Sequence, residues 1–167
     1  FSKSKAQGGP YLFKADGFLP TDAIRGDLAE SWKWLEPPLR LEIQLRKGVM
    51  FPEKAGVMAA RALVAQDVAY SFNRLMASPK RTADYLDHIL RIEAPERHKV
   101  VFYVKHFHED WAGRFGFGTY SSIYPKEVVD AGIGDWRKAN GSGPFQIAEY
   151  IGGNSQNYVK NPLYWGK

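Results

Sequence analysis

An α+β fold built on a mostly antiparallel sheet is what this sequence predicts, and three observations predict it. Residues 39–46 alternate apolar and polar side chains without a break, the period of a strand with one dry and one wet face. The run Ala65–Met76 instead repeats Val68, Phe72 and Leu75 at helical spacing, with Ala65 and Ala69 beside them. Strand-like runs stand on both sides of that helix, so strands come first, then a helix, then strands again.

The elements follow in order. Residues 1–10 are polar and glycine-rich, which predicts a loose end. Residues 11–27 mix apolar side chains with Gly17, Pro20 and Gly26, the makings of a short strand and turns. Residues 30–35 alternate and carry Trp32 and Trp34; across Pro37 and Pro38 they pair with 39–46 as an antiparallel hairpin. Residues 51–63 have no clean period and hold Pro52 and Gly56, which predicts a long loop with one helical turn. In the helix that follows, Asp67 sits in the first turn, where a carboxylate favours the positive end of the dipole, and Ser78-Pro79 closes the element. A weaker helix is expected over 81–90. Strands are expected over 89–94 and 99–105 around the turn Pro95-Glu96-Arg97-His98. A short helix over 109–115, a short strand over 120–124 and short helices over 126–131 and 135–139 come next. Gly141, Gly143 and Pro144 make a tight connection to a last hairpin, 145–150 with 156–160, across Gly152-Gly153.

Bulk properties bound the function. With 167 residues the chain is long enough for one domain with a real core, and 44% hydrophobic with 25% charged residues is an ordinary globular balance, which argues against disorder. The net charge of +5 is compatible with an anionic partner but equally with a solvated surface. There are no cysteines, so disulfides, thiolate catalysis and cysteine-ligated zinc are excluded. No apolar run approaches the roughly 20 residues that cross a bilayer. The start, Phe1-Ser2-Lys3-Ser4, lacks the apolar segment of a secretory leader, and the chain is expected to be mature, trimmed or excised from something longer.

Few constellations carry chemistry. His106 and His108, followed by Glu109 and Asp110, form the one cluster of metal-ligating types, and alternate residues of a strand share a face. The spacing is short and common, and a wet strand end before a helix is the plainer account; no metal or other cofactor is expected. His88 and His98 read as isolated. Ser121-Ser122 lacks the flanking glycines of a nucleophile elbow, and Gly141-Ser142-Gly143 lacks a phosphate-loop lysine. Nothing supports an enzyme. Aromatic residues are plentiful, with 5 Trp, 9 Tyr and 10 Phe, and some adjoin basic ones, but no nucleic-acid-binding pattern accompanies them. Core packing, with a few rings lining a ligand cleft, accounts for them better.

Five short signatures occur in a fixed order. They are Leu28-Ala29-Glu30-Ser31-Trp32; Leu45-Arg46-Lys47-Gly48-Val49-Met50-Phe51; the helix from Ala65 through Asp67-Val68, Tyr70-Ser71-Phe72 to Leu75; Gly141-Ser142-Gly143-Pro144-Phe145; and Asn161-Pro162-Leu163-Tyr164-Trp165. Together with Tyr124-Pro125-Lys126 they resemble the peptide and nickel class, family 5, of extracytoplasmic solute-binding proteins, the receptors of ABC importers. Pro52-Glu53-Lys54 stands where that family often has Asp-Gly, and residues 56–63 read as an insertion.

The resemblance implies one subdomain of a type II periplasmic-binding-protein-like receptor. Residues 1–24 would be an extension, 25–140 the small subdomain of the N-terminal lobe, and 141–167 return strands toward the larger subdomain. It implies uptake of oligopeptides or dipeptides, with a nickel, haem or sugar receptor, or a stand-alone interaction domain, as alternatives. Its partners would be a peptide or other small solute, the C-terminal lobe of the same receptor and an ABC permease, with no nucleic acid, in a periplasm or tethered to a cell surface. By family position Tyr85 lies near the ligand or the opposing lobe, and Tyr120, Ser121 and Ser122 form a second candidate group. One lobe cannot enclose a ligand, so the chain is expected to fold but to bind peptides weakly or not at all.

Overall fold

Two alternating runs and two further strand runs produce the central feature, a four-stranded antiparallel sheet in the order β1-β2-β6-β5. The computed structural model describes residues 24–79, 85–116 and 122–166. In it β1 is Ala29–Leu35, β2 Arg40–Leu45, β5 Ile89–Glu96 and β6 Lys99–Val104. The first hairpin pairs across the two prolines with Trp34 opposite Leu41 and Trp32 opposite Ile43. Leu41 then faces Phe102, and Phe102 faces Ile92, so one apolar row crosses the whole sheet. The neighbouring row, Lys33–Glu42–Val101–Glu93, points the other way.

The dry face receives helix α1, Ala65–Met76, whose apolar stripe meets it through Phe72; the Phe72 and Phe102 rings lie 5.0 Å apart, edge to face. Leu41, Phe51 and Phe102 have no exposed surface. The wet face carries an ion lattice. Glu42 meets Arg40 at 3.1 Å, Lys99 at 3.2 Å and Lys33 at 3.5 Å. Burial alone would raise its carboxyl pKa, but the bonds to Arg40 and Lys99 outweigh that and hold it below the usual range. The Arg91 guanidinium lies 3.5 Å from the centre of the Tyr103 ring.

Residues 51–63 differ from the expected loop. They hold two short strands, β3 (Met50–Phe51) and β4 (Arg61–Ala62), which pair antiparallel, and a bridge between Lys54 and Met58 tightens the loop between them. Polar anchoring does this without any local period. Arg61 lies over the Phe51 ring at 5.2 Å and forks between two carboxylates: Asp67 at 2.8 and 3.0 Å, and Glu127 at 2.6 and 2.8 Å. Asp67 also accepts from the Val64 amide at 2.9 Å, which closes the start of α1. Glu127 begins helix α3, Lys126–Gly132, so one guanidinium ties the β3–β4 loop to two helices.

Two other segments also differ. Residues 85–88, expected to end a helix, form a turn and bend: Leu86 and His88 are buried, and the Lys105 amide takes the His88 carbonyl at 2.8 Å. Residues 122–124 are not a strand. The Ser71 hydroxyl accepts from the Tyr124 amide at 2.9 Å and donates to its carbonyl at 3.3 Å, so a helix side chain takes both groups that a ladder would use. The expected strand within 11–27, the first part of the helix over 81–90 and the start of the strand over 120–124 lie outside the described residues.

Helix α2 is Trp111–Gly116, and a single 3-10 turn covers Trp136–Lys138. The last hairpin, β7 (Phe145–Ile151) with β8 (Ser155–Lys160), pairs only with itself among the described residues and turns through Gly153 at φ +73°. Asparagines hold its base. Asn140 donates to the Pro52 carbonyl at 2.7 Å, and Asn161 donates to the Gly143 carbonyl at 2.8 Å while accepting from the Leu163 amide at 3.0 Å.

Phe102→Ala should lower stability to urea by about 3–5 kcal/mol through the cavity it leaves among Leu41, Phe72 and Phe115. Arg61→Met should cost about 1–3 kcal/mol, because Asp67 is buried and loses two donors. Glu127→Gln, at a carboxylate 38% exposed, should cost less than about 1 kcal/mol in the same denaturation.

Candidate functional site

The sequence candidates separate into two supports. Tyr85 joins α2. Six residues are few for a helix, and α2 is held by side chains rather than length. Asp110 precedes it, and its carboxylate takes Arg114 Nε at 2.8 and 2.9 Å, a pair four residues apart. The same guanidinium donates to the Tyr85 carbonyl at 2.7 Å and lies 5.0 Å from the centre of the Tyr85 ring. Tyr85 answers by donating its hydroxyl to the Gly113 carbonyl at 3.1 Å. The phenol is half-buried, with its proton committed inward to the Gly113 carbonyl.

Ser122 belongs to the other support. It is exposed and comes just before the Ser71–Tyr124 lock and α3. Tyr120 and Ser121 lie outside the described residues.

Beside α2 stands a wall of rings. Trp34 is 5.0 Å from Phe107 and 5.9 Å from Trp111, and Trp32 is 6.1 Å from Trp111. Phe107 leaves 49% of its surface in solvent, so the wall has an open apolar edge. Two open grooves flank the sheet edge at β5. One, of about 490 Å³, runs between α1 and β5 past Gln66, Tyr70, Asn73, Glu93 and Pro95. The other, of about 340 Å³, is lined by Met76, Leu86, Asp87, Ile89 and Lys105 beside the Tyr85 segment. Neither encloses a ligand.

His88 is not isolated, contrary to the sequence reading. The fold brings it to His106 and His108, with the ring centres of His88 and His108 4.6 Å apart and those of His106 and His108 also 4.6 Å apart. His88 is 3% exposed. Its burial, then the nearby charges of His108, Arg114 and His106, push its pKa down to about 4, with Asp110 opposing. Burial and the Arg114 charge also lower His108, and the bond from Arg114 holds the Asp110 carboxyl below its usual range. Among the described residues no group of three or more His, Cys, Asp or Glu is arranged to hold a metal ion.

Arg114 was absent from the sequence candidates, and Asp110 stood there only beside His106 and His108, not as a partner of Arg114. Their four-residue spacing was a visible signal, whereas the contact of Arg114 with Tyr85, 29 positions away, has no local trace.

Comparison with known proteins places this geometry. The family profile described as bacterial extracellular solute-binding proteins, family 5 Middle, matches residues 23–167. The di/tripeptide-binding protein 2 of Pseudomonas aeruginosa (strain UCBPP-PA14) is 33% identical over 83% of this chain and 29% of its own length. Among solved structures, the Helicobacter pylori periplasmic binding protein DppA, in complex with the peptide STSA, superposes with a TM-score of 0.70. It is 26% identical and is covered over 31% of its length by 84% of this chain. MoaA of A. tumefaciens R10, in complex with mannopinic acid, gives 0.72 at 26% identity, over 86% of this chain and 29% of that one. The chain thus spans about three tenths of the length of the relatives it matches. An antiparallel α+β unit that matches one part of type II periplasmic receptors, together with a profile match over nearly the whole chain, shows that this protein belongs to family 5 of the bacterial extracellular solute-binding proteins.

Proposed function

We propose that this chain is the small subdomain of the N-terminal lobe of a receptor that delivers dipeptides or oligopeptides to an ABC importer outside the cytoplasmic membrane. In this reading residues 25–140 are the subdomain, residues 1–24 an extension, and residues 141–167 the strands that return toward the larger subdomain. The observation that carries it is the family match over 23–167 in a chain covering three tenths of a di/tripeptide-binding relative.

The last hairpin supports the return-strand assignment. Phe145, Tyr150 and Tyr158 are about half exposed on one of its faces, and Ile151 and Val159 on the other. A two-stranded hairpin with apolar residues bare on both sides is marginal alone and stable when packed between neighbours. The remainder of the receptor is the occupant this reading supplies.

Such receptors work by hinged closure of two lobes on a solute, with no covalent chemistry, and the partner ATPase supplies the energy for transport. Extended peptides are held largely through their backbone groups, with roomy pockets for side chains. Tyr85 would present its ring to the ligand or to the opposing lobe, with Tyr120, Ser121 and Ser122 as a second contact group. The partners are a small solute, the C-terminal lobe and the permease. A second reading, a receptor for a non-peptide solute, is favoured by the neighbour bound to mannopinic acid.

Isothermal titration of the 167-residue chain with di- and tripeptides should show no micromolar binding, whereas the full-length receptor should bind. In that full-length receptor Tyr85→Ala should weaken dipeptide affinity by at least about threefold, roughly the loss of one modest contact. Tyr85→Phe, which keeps the ring, should retain most of it. Unchanged affinity for Tyr85→Ala removes Tyr85 from the site, and a co-purified solute that is not a peptide, identified by native mass spectrometry, replaces the main reading with the second.

A further inference from the structure

We propose that His88, His106 and His108 form a proton-operated latch, which holds α2 and residues 85–88 against the end of β6 at neutral pH and releases them on acidification. The latch goes beyond the receptor assignment and does not depend on which solute is carried.

The geometry is specific to neutral rings. His106 Nε2 and His108 Nε2 are 2.9 Å apart, a hydrogen bond that needs one ring to donate and the other to accept. Two imidazolium rings are both donors, so double protonation breaks the bond and sets like charges in contact. His88 stands edge-on to His108, 6.0 Å from His106 and 5.7 Å from Phe115, and its Nδ1 is buried without a hydrogen-bond partner. A proton on His88 would therefore place a charge in an apolar pocket, against two other imidazoles.

The charged groups around His88 do not compensate. Arg114, from α2, adds a second positive charge. Asp110 is the nearby carboxylate that opposes it, but it is already bonded to Arg114 and lies 3.9 Å from His108 Nδ1. Asp87 precedes His88 in the chain and is exposed, and Lys105 donates its backbone amide to the His88 carbonyl.

The sign follows from linkage. His88 in the closed state has its pKa lowered from 6.5 to about 4, so the open state takes a proton that the closed state refuses. The latch is fully stable above about 6.5 and loses stability as pH falls toward 4, the opening equilibrium rising up to about tenfold per pH unit for each proton. Arg114 donates to the Tyr85 carbonyl and Tyr85 to the Gly113 carbonyl, so α2 and Tyr85 are released together.

Trp111, the first residue of α2 and packed on Trp32 and Trp34, is a built-in reporter. Tryptophan fluorescence of the 167-residue chain, titrated from pH 7.5 to 4.0, should change with a midpoint between 6.5 and 4, while the far-ultraviolet circular dichroism of the sheet persists. Trp111→Phe should remove most of that change. His88→Leu and His108→Gln should each lower the midpoint by a pH unit or more. His98→Gln, at the opposite end of the β5–β6 hairpin, should leave it unchanged. If His88→Leu fails to fold, His108→Gln and the titration of the His88 ring by nuclear magnetic resonance decide. A fluorescence signal flat down to pH 4, a wild-type midpoint retained in His108→Gln, or a His88 ring that titrates at 6 or above overturns the latch.

Discussion

Phe102 is where the sheet meets both helices that cover it. Its ring has no exposed surface and stands 5.0 Å from Phe72 of α1 and 4.8 Å from Phe115 of α2. It also sits mid-row, between Leu41 and Ile92. A side chain on the dry face of a central strand cannot move without opening three contacts at once, so the placement of α2, and with it the Tyr85 corner, is inherited from the sheet. The opposite face of the same strands carries ion pairs instead, the Arg91–Glu93 pair exposed to water and contributing little, the Glu42 group only partly so.

Polar anchors do what hydrophobic packing cannot do for the irregular segments. Arg61 supplies a forked donor to two carboxylates from two helices, which fixes a loop that has no apolar period of its own. Ser71 does the same for Tyr124, and Asn140 and Asn161 for the base of the last hairpin. Several signatures that resemble the receptor family turn out to be these anchors. Asp67 closes a helix start, Gly48 turns the chain at φ +78°, Asn161 caps its own turn, and Trp165 is covered by Arg46 at 4.4 Å. In this chain these residues hold the scaffold.

The Tyr85 corner is of a different kind. It joins a short helix, a turn and a strand end through one arginine and one tyrosine, with three imidazoles beside it. Leu86 and Phe115 pack it onto the core, and its polar half is made of titratable groups. Elements of low local stability are the ones available for movement in a binding protein.

The sequence by itself determined the elements whose information is local. Period two specified the β1–β2 hairpin, two apolar runs around a turn specified β5–β6, helical spacing specified Ala65–Met76 to the residue, and paired glycines specified the last turn. Each signal lies within a few residues, because a strand or helix face is written in the side chains that form it. Tertiary structure alone decided what depends on partners distant in sequence. It paired Met50–Phe51 with Arg61–Ala62 through an arginine held by a carboxylate 66 positions away, and it gave both backbone groups of Tyr124 to Ser71 instead of a ladder. It also brought His88, which looked isolated along the chain, to the His106 and His108 pair. Such contacts arise when a sheet brings the start of one strand beside the end of its neighbour, and no periodicity records which side chains will meet there.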